Sequence, residues 1–358
     1  IHSPFPQRDI HTPMKLINFF AENEQHLGLF HNNRVISLQS VTVHQGKDFP
    51  RTMEEFLANL DQFEPIAREI DRDFKDGAYD KLVYDMEEID QIFAPVPKPT
   101  SCRDAYAFRQ HVATARRNRG VEMIPEFDQF PVWYFTNHNA IYGPGPIPVM
   151  ADHLHKLDFE LEAAIVVGKR GRNVRAEEAD DYIFGYMIMN DLSARQLQME
   201  EMRLNLGPAK GKDFASAIGP LLVTPDELEA YKTPAPEGHV GNQFKLEMTC
   251  RVNGQEVSRG NLGSMDWTFA EILERVSYGS DILPGDVIGS GTVGTGCFLE
   301  LNGTGKLNDE NYTPQWLQLG DTVELEIEEL GVLTNTIQHE DDFSILARKK
   351  NVAEEAGK

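Results

Sequence analysis

Two glutamates one residue apart, Glu160 and Glu162 in DFELEAAIVVG, are the first candidates for chemistry in this chain. In an extended strand the two-residue period sends both carboxylates to one face and Leu161, Ala163 and Ile165 to the other. On a solvated face such a pair is ordinary. The apolar run that follows it points instead to a buried strand, where two like charges need a proton or a cation between them. Asp191 closes a second apolar run, YIFGYMIMND, at a strand end. It reads either as the cap of the next helix or as a further acid of a site assembled there.

Four other positions carry reactive groups. Arg195 and Gln198 stand at i and i+3 of a helical pattern, so both can reach whatever Asp191 touches. Lys212 lies on the Gly-containing loop GPAKGKDF, where a solvated side chain is the ordinary reading. His111 ends Arg109-Gln110-His111, seven residues after Asp104, and a lone histidine is more often structural than catalytic. Glu300 falls in CFLELNG, read as an apolar strand in which a carboxylate is out of place unless paired.

The elements that must position these groups divide at a proline-rich stretch, APVPKPTS, at residues 94–101. Before it, apolar runs between Met14 and Leu38 flank the turn-like His31-Asn32-Asn33 and predict a β-hairpin. Phe56, Leu60, Phe63, Ala67 and Ile70 then recur at helical spacing, with Thr52 as cap and Pro65 as a break. After it come the strand patterns FELEAAIVVG, YIFGYMIMND, FKLEMTCRVNG, DVIGSG, CFLELNG and DTVELEIEEL, the last alternating at Val323, Leu325 and Ile327. Helices are predicted after Asp191, with a capping box at Ser193 and Gln196, and around Thr268–Ser277. Many strands with few helices between them argue for a mainly β, α+β roll or sandwich and against a doubly wound parallel sheet. The expected divisions are an arm or tag at 1–13, an N-terminal domain at 14–95, a catalytic domain at 96–348 and a tail at 349–358.

Bulk composition narrows the partners. With 34 basic and 57 acidic residues among 358, the net charge of −23 disfavours nucleic acid and anionic membrane surfaces. An anionic small molecule would then need cations placed locally. Three scattered cysteines, Cys102, Cys250 and Cys297, give neither a disulfide framework nor a CxxC site, so a cytoplasmic setting is expected. There is no apolar run of membrane-spanning length and no basic-then-apolar leader pattern.

Two rival motifs need weighing. Gly289-Ser290-Gly291-Thr292-Val293-Gly294 matches the dinucleotide GxGxxG, yet a strand-like CFLEL follows where that motif requires a helix. His153-x-His155 followed by Glu160 has the spacing of a cupin metal site, which would imply iron or another transition metal and oxygen chemistry. The later histidines, His239 and His339, do not supply the further ligand a cupin needs, and oxygen ligands alone favour Mg2+, Ca2+ or Mn2+.

Taken in order, these pieces resemble the fumarylacetoacetate hydrolase family over roughly residues 96–348: Asp104 then RQH ending at His111, DFELE, NDLSAR, LGPAKGK, LPGD at 283–286, SGT at 290–292, Glu300 and GDTVELEIEELGVLTN. The resemblance implies a β roll with a smaller N-terminal domain, usually a homodimer. It makes Asp104, Glu160, Glu162 and Asp191 the ligands of Mg2+, Ca2+ or Mn2+, with Lys212 and Ser216 near the ion. His111 would be the general base, oriented by Glu300, and Arg195, Gln198, Lys212, Tyr134 and Thr292 would meet the substrate. One of Arg116, Arg117 and Arg119 would grip a substrate carboxylate, with Arg119 chosen here.

The implied activity is hydrolysis of a carbon–carbon bond in a small anionic β-diketo acid, as in aromatic catabolism. Two carbonyl oxygens of a 1,3-diketone can chelate one hard cation, a base must deprotonate water, and fixed donors meet the oxyanion at a gain on the order of 3 kcal/mol each. The same family site also supports decarboxylation and isomerisation of 2-oxo acids. Outside that class stand the cupin-type dioxygenase and a non-catalytic binding protein.

Overall fold

The computed structural model describes residues 13–350. The arm expected at 1–13, apart from Pro13, and the tail expected at 349–358, apart from Lys349 and Lys350, lie outside the described residues. The architecture is α+β, built on a twelve-stranded mixed sheet and a separate five-stranded sheet. Its centre is formed by Ser216–Val223, Ile183–Asp191, Leu161–Val167 and Asp286–Gly289 in that spatial order, all buried throughout. Strands covered on both faces read as continuous apolar runs, which is why these segments show so little alternation.

The N-terminal strands extend this sheet on one side, Lys15–Ala21 pairing antiparallel with Ser216–Val223. On the other side Ser101–Ala105 runs parallel to Asp286–Gly289, and Trp133–Thr136 forms the edge. The chain passes the prolines of 94–100 between the Gln91–Phe93 and Ser101–Ala105 strands, both of which belong to the large sheet.

Along Leu161–Val167 the period of two separates the cores. Leu161, Ala163 and Ile165 join Met248, Val323, Leu325 and Leu333 of the five-stranded sheet, whereas Ala164 and Val166 join Phe56, Leu60, Ala67 and Ile70 of the N-terminal helices. Each fully buried Val, Leu, Ile, Met or Phe among them contributes roughly 1.5–3 kcal/mol, so slippage by one residue would be heavily penalised. Register therefore fixes which face Glu162 occupies.

Local expectations fare unevenly. The turn at Asn32 and Asn33 has both residues at positive φ, 48° and 61°, as a two-residue hairpin of this hand requires. A second such turn, at Glu22 and Asn23, makes the segment a three-stranded meander rather than one hairpin. Thr52 does cap Met53–Ala58, but the break falls at Asn59, and Pro65 lies inside Leu60–Lys75. Thr268 caps Phe269–Ser277 through a reciprocal box with Glu271.

Two expectations are overturned. Ser193 is not a cap: its hydroxyl donates to the Asp191 carbonyl at 2.9 Å, residues 193–194 pair with 157–158, and Arg195–Met202 starts without a side-chain cap. CFLELNG is not a strand but opens the helix Phe298–Asn308. Its cap is distant in sequence, since Asp158 accepts from Phe298 N at 2.7 Å and Leu299 N at 2.9 Å. A local reading cannot contain a cap supplied from 140 residues away.

A helix therefore does follow the GxGxxG stretch. Topology, not the following element, excludes the dinucleotide reading: the next long strand, Thr322–Ile327, belongs to the other sheet. The glycines let this loop pack closely, since a Cβ would meet Ala105 O at 2.6 Å from Gly291 and the Gln110 side chain at 2.4 Å from Gly294.

Candidate active site

Four acids converge where the central strands end. Asp104 lies on Ser101–Ala105 opposite Gly289, Asp191 ends Ile183–Asp191, and Glu160 and Glu162 flank Leu161 at the start of its strand. One oxygen from each lies within 4.8 Å of every other, and all four residues are buried. Asn190 fixes the approach by accepting from Glu160 N at 3.0 Å. Gly289 is required here, because a Cβ would meet Asp104 Oδ1 at 2.5 Å and Glu162 Oε2 at 2.9 Å.

The carboxylates outnumber the cations that touch them. Lys212 Nζ donates to Glu160 Oε2 at 2.6 Å and Asp191 Oδ2 at 2.8 Å, and Arg195 Nη2 donates to Glu160 Oε1 at 2.8 Å. Burial alone would raise Glu160, but Lys212 and Arg195 hold it down, at about 2. Burial and the Asp191 charge push Asp104 up, and burial and the Asp104 charge push Glu162 up. Glu162 Oε2 and Asp191 Oδ1 are buried without a hydrogen-bond partner. An all-oxygen cradle with uncompensated charge and orphaned acceptors fits a hard divalent cation.

Beside this cradle, His111 Nδ1 lies 2.6 Å from Glu300 Oε2. His111 sits near the start of the helix Arg109–Asn118 and Glu300 in the first turn of Phe298–Asn308. Asn118 Nδ2 ties the two helices by donating to the Glu300 carbonyl at 3.0 Å. With Nδ1 engaged, Nε2 is the nitrogen left for a reacting group.

Arg195 joins the halves. Its Nε donates to Asp158 Oδ2 at 2.9 Å and its Nη1 to Gln198 Oε1 at 3.0 Å. Lys212 is therefore not the solvated lysine of its ordinary reading, and Arg195 and Gln198 share a face as their spacing predicts. Tyr134 donates to Asp191 Oδ2 at 2.7 Å, Thr292 donates to Glu162 Oε1 at 3.3 Å, and Ser216 pairs with Asp191 in the sheet.

The three arginines differ. Arg116 Nε donates to the Glu122 carbonyl, Arg117 Nη2 donates to Thr304 Oγ1 at 2.9 Å, and Arg119 Nε donates to the Ala115 carbonyl at 3.1 Å. Both terminal nitrogens of Arg119 stay uncommitted among the described residues, and its charge reaches the Tyr106 hydroxyl.

The cupin histidines are elsewhere. His153 Nδ1 accepts from Met150 N at 3.2 Å and its ring stacks on Phe214 at 4.1 Å, and among the described residues no histidine joins the four acids. Sequence reasoning missed Tyr106, whose ring meets His111 edge-on at 5.8 Å, and Asp158. Asp158 shares the alternation of Glu160 and Glu162 in DFELE, so the same periodicity contained it.

Residues 100–338 match the family described as fumarylacetoacetate (FAA) hydrolase, C-terminal. The chain belongs to the fumarylacetoacetate hydrolase family. Oxaloacetate tautomerase YisK of Bacillus subtilis is 28% identical over 337 residues, covering 90% of this chain and all of the relative. Human mitochondrial oxaloacetate tautomerase FAHD2A is 29% identical over 340 residues, covering 93% and 94%. The solved structure of fumarylacetoacetate hydrolase from Exiguobacterium antarcticum shares the fold at a TM-score of 0.61, with 24% identity, covering 91% of this chain and all of that one. Members of this fumarylacetoacetate hydrolase family are divalent-metal dependent. No helix among the described residues is long and apolar enough to cross a membrane.

Proposed function

We propose that this chain is a divalent-metal-dependent tautomerase of small 2-oxo dicarboxylic acids of the oxaloacetate class, interconverting their enol and keto forms. The observation that favours this over C–C hydrolysis is the match to oxaloacetate tautomerases along nine-tenths or more of both chains. Asp104, Glu160, Glu162 and Asp191 would hold the ion, which when bound supplies Lewis acidity toward the oxygens of a 2-oxo acid.

The chain's own residues then have limited tasks. His111 Nε2 takes a proton from the carbon beside the carbonyl and delivers it to the enol oxygen, or the reverse, so no water or co-reactant is consumed. Glu300 holds the imidazole in one tautomer by accepting from Nδ1. Lys212 and Arg195 keep positive charge beside the forming oxyanion, and Gln198, whose oxygen is engaged by Arg195, has its amide nitrogen left to donate. Arg119 takes the distal carboxylate with its free guanidinium nitrogens.

Enol-rich oxaloacetate tests the reading. Loss of enol absorbance faster than in buffer, abolished by EDTA and without release of pyruvate, is expected. Chelator-sensitive cleavage of acylpyruvates by an enzyme inert toward oxaloacetate tautomers would replace it with the hydrolase reading, and pyruvate release would replace it with decarboxylation.

A further inference from the structure

Cys297 is fully buried and has no part in the chemistry above, yet it directly precedes the helix that carries Glu300. One ligand atom each from His111, Cys297 and Glu300 lie within 4.8 Å of one another. We propose that these three residues form a second, softer metal site that binds Zn2+ and, when filled, withdraws His111 from its role as base.

The two clusters differ in donor chemistry. The four acids offer only oxygen, suited to Mg2+, Ca2+ or Mn2+, whereas His111, Cys297 and Glu300 offer nitrogen, sulfur and oxygen, a set suited to Zn2+. Ligand atoms around a tetrahedral zinc ion, at about 2.0–2.3 Å from the metal, stand roughly 3.3–3.8 Å apart. Modest side-chain rotations therefore bring the three donors into range, with a fourth position open.

Charge also balances. Zn2+ binding replaces the Cys297 thiol proton, which leaves to solvent, and the resulting thiolate and the Glu300 carboxylate neutralise the ion, so no net charge is left buried. Without such an ion, burial keeps the thiol well above its usual range, and it is neither nucleophile nor oxidation-prone. The hydrogen bond between His111 and Glu300 must open to admit the metal, which couples occupancy to loss of base function.

Binding is tested with Co2+ as a spectroscopic probe on the Mg2+-loaded enzyme. A thiolate-to-cobalt charge-transfer band that saturates at one ion per chain, is displaced by Zn2+ and is absent from Cys297→Ser and Cys297→Ala is expected. Zn2+ should inhibit the Mg2+ enzyme, and both variants should keep the Mg2+ activity while needing at least tenfold more Zn2+ for the same inhibition. The inhibitory half of the proposal rests on His111 being the base. A thiolate band with undiminished activity would keep the zinc site and remove that base assignment. No thiolate band, or equal Zn2+ sensitivity in the cysteine variants, would overturn the site and assign the inhibition to displacement of Mg2+ from the four acids.

Discussion

The two halves of the site are carried differently. Three of the acids sit at the adjoining ends of two central strands and Asp104 on the strand beyond Asp286–Gly289, so backbone register fixes their separations. His111 and Glu300 come from two helices joined by side-chain contacts, the pair itself and those of Arg117 and Asn118 with Thr304 and the Glu300 carbonyl. A sheet centre is hard to deform, whereas a helix pair can shift by small rotations. The ion cradle is therefore the fixed part of the site and the base the adjustable part.

That contrast is most sharply tested at the cradle. Asp191→Asn should weaken Mg2+ binding by more than about 100-fold and remove turnover with it, since the ion cannot be held by three acids in the same geometry. Calorimetric titration with Mg2+ beside the enol assay decides this, and an intact affinity would break the comparison. Next in size is His111→Ala, expected to cost roughly 10²–10⁴ in turnover while Mg2+ affinity stays within about threefold. A parallel loss of affinity would mean that the halves are not separable.

Asp158→Asn addresses the join. It removes a buried anion that serves Arg195 and two backbone N–H groups, so about 3 kcal/mol of stability and about tenfold in turnover should go, with little change in Mg2+ affinity. Urea unfolding and the same titration check it. The smallest effect lies outside both halves, at His153. Burial, with a further contribution from Lys210, lowers its pKa from 6.5 to about 4. The neutral ring is thus favoured in the folded state, a contribution fully present above pH 6.5 and lost as pH falls toward 4. Between pH 7 and pH 5 this amounts to about 2 kcal/mol, and His153→Gln should narrow the gap between urea midpoints at those pH values without altering turnover at pH 7.

The same contrast governs what could be read from sequence. Glu160 and Glu162 were legible because a two-residue period assigns faces without any knowledge of the fold, and the buried runs on either side named the strands. The alternation at Val323, Leu325 and Ile327 was legible for the same reason. The base was harder. Glu300 was recognised as an acid needing a partner, but its element was misassigned, because Phe-Leu-Glu-Leu has strand-like local content and the helix owes its start to Asp158. Lys212 was placed in the site by the family resemblance alone, since a Gly-containing loop carries no sign that its side chain turns inward. Tyr106 had no signal beyond its nearness to Asp104.

The Asp158 carboxylate has one more implication, for the order in which the molecule takes shape. The helix bearing Glu300 gains its terminal acceptor only once a 140-residue loop has closed, and contacts so distant form late in a folding chain. The pairing of Ser101–Ala105 with Asp286–Gly289, which seats Asp104, closes a still longer stretch of chain, so the ion cradle and the proton carrier both wait on distant contacts and mature together.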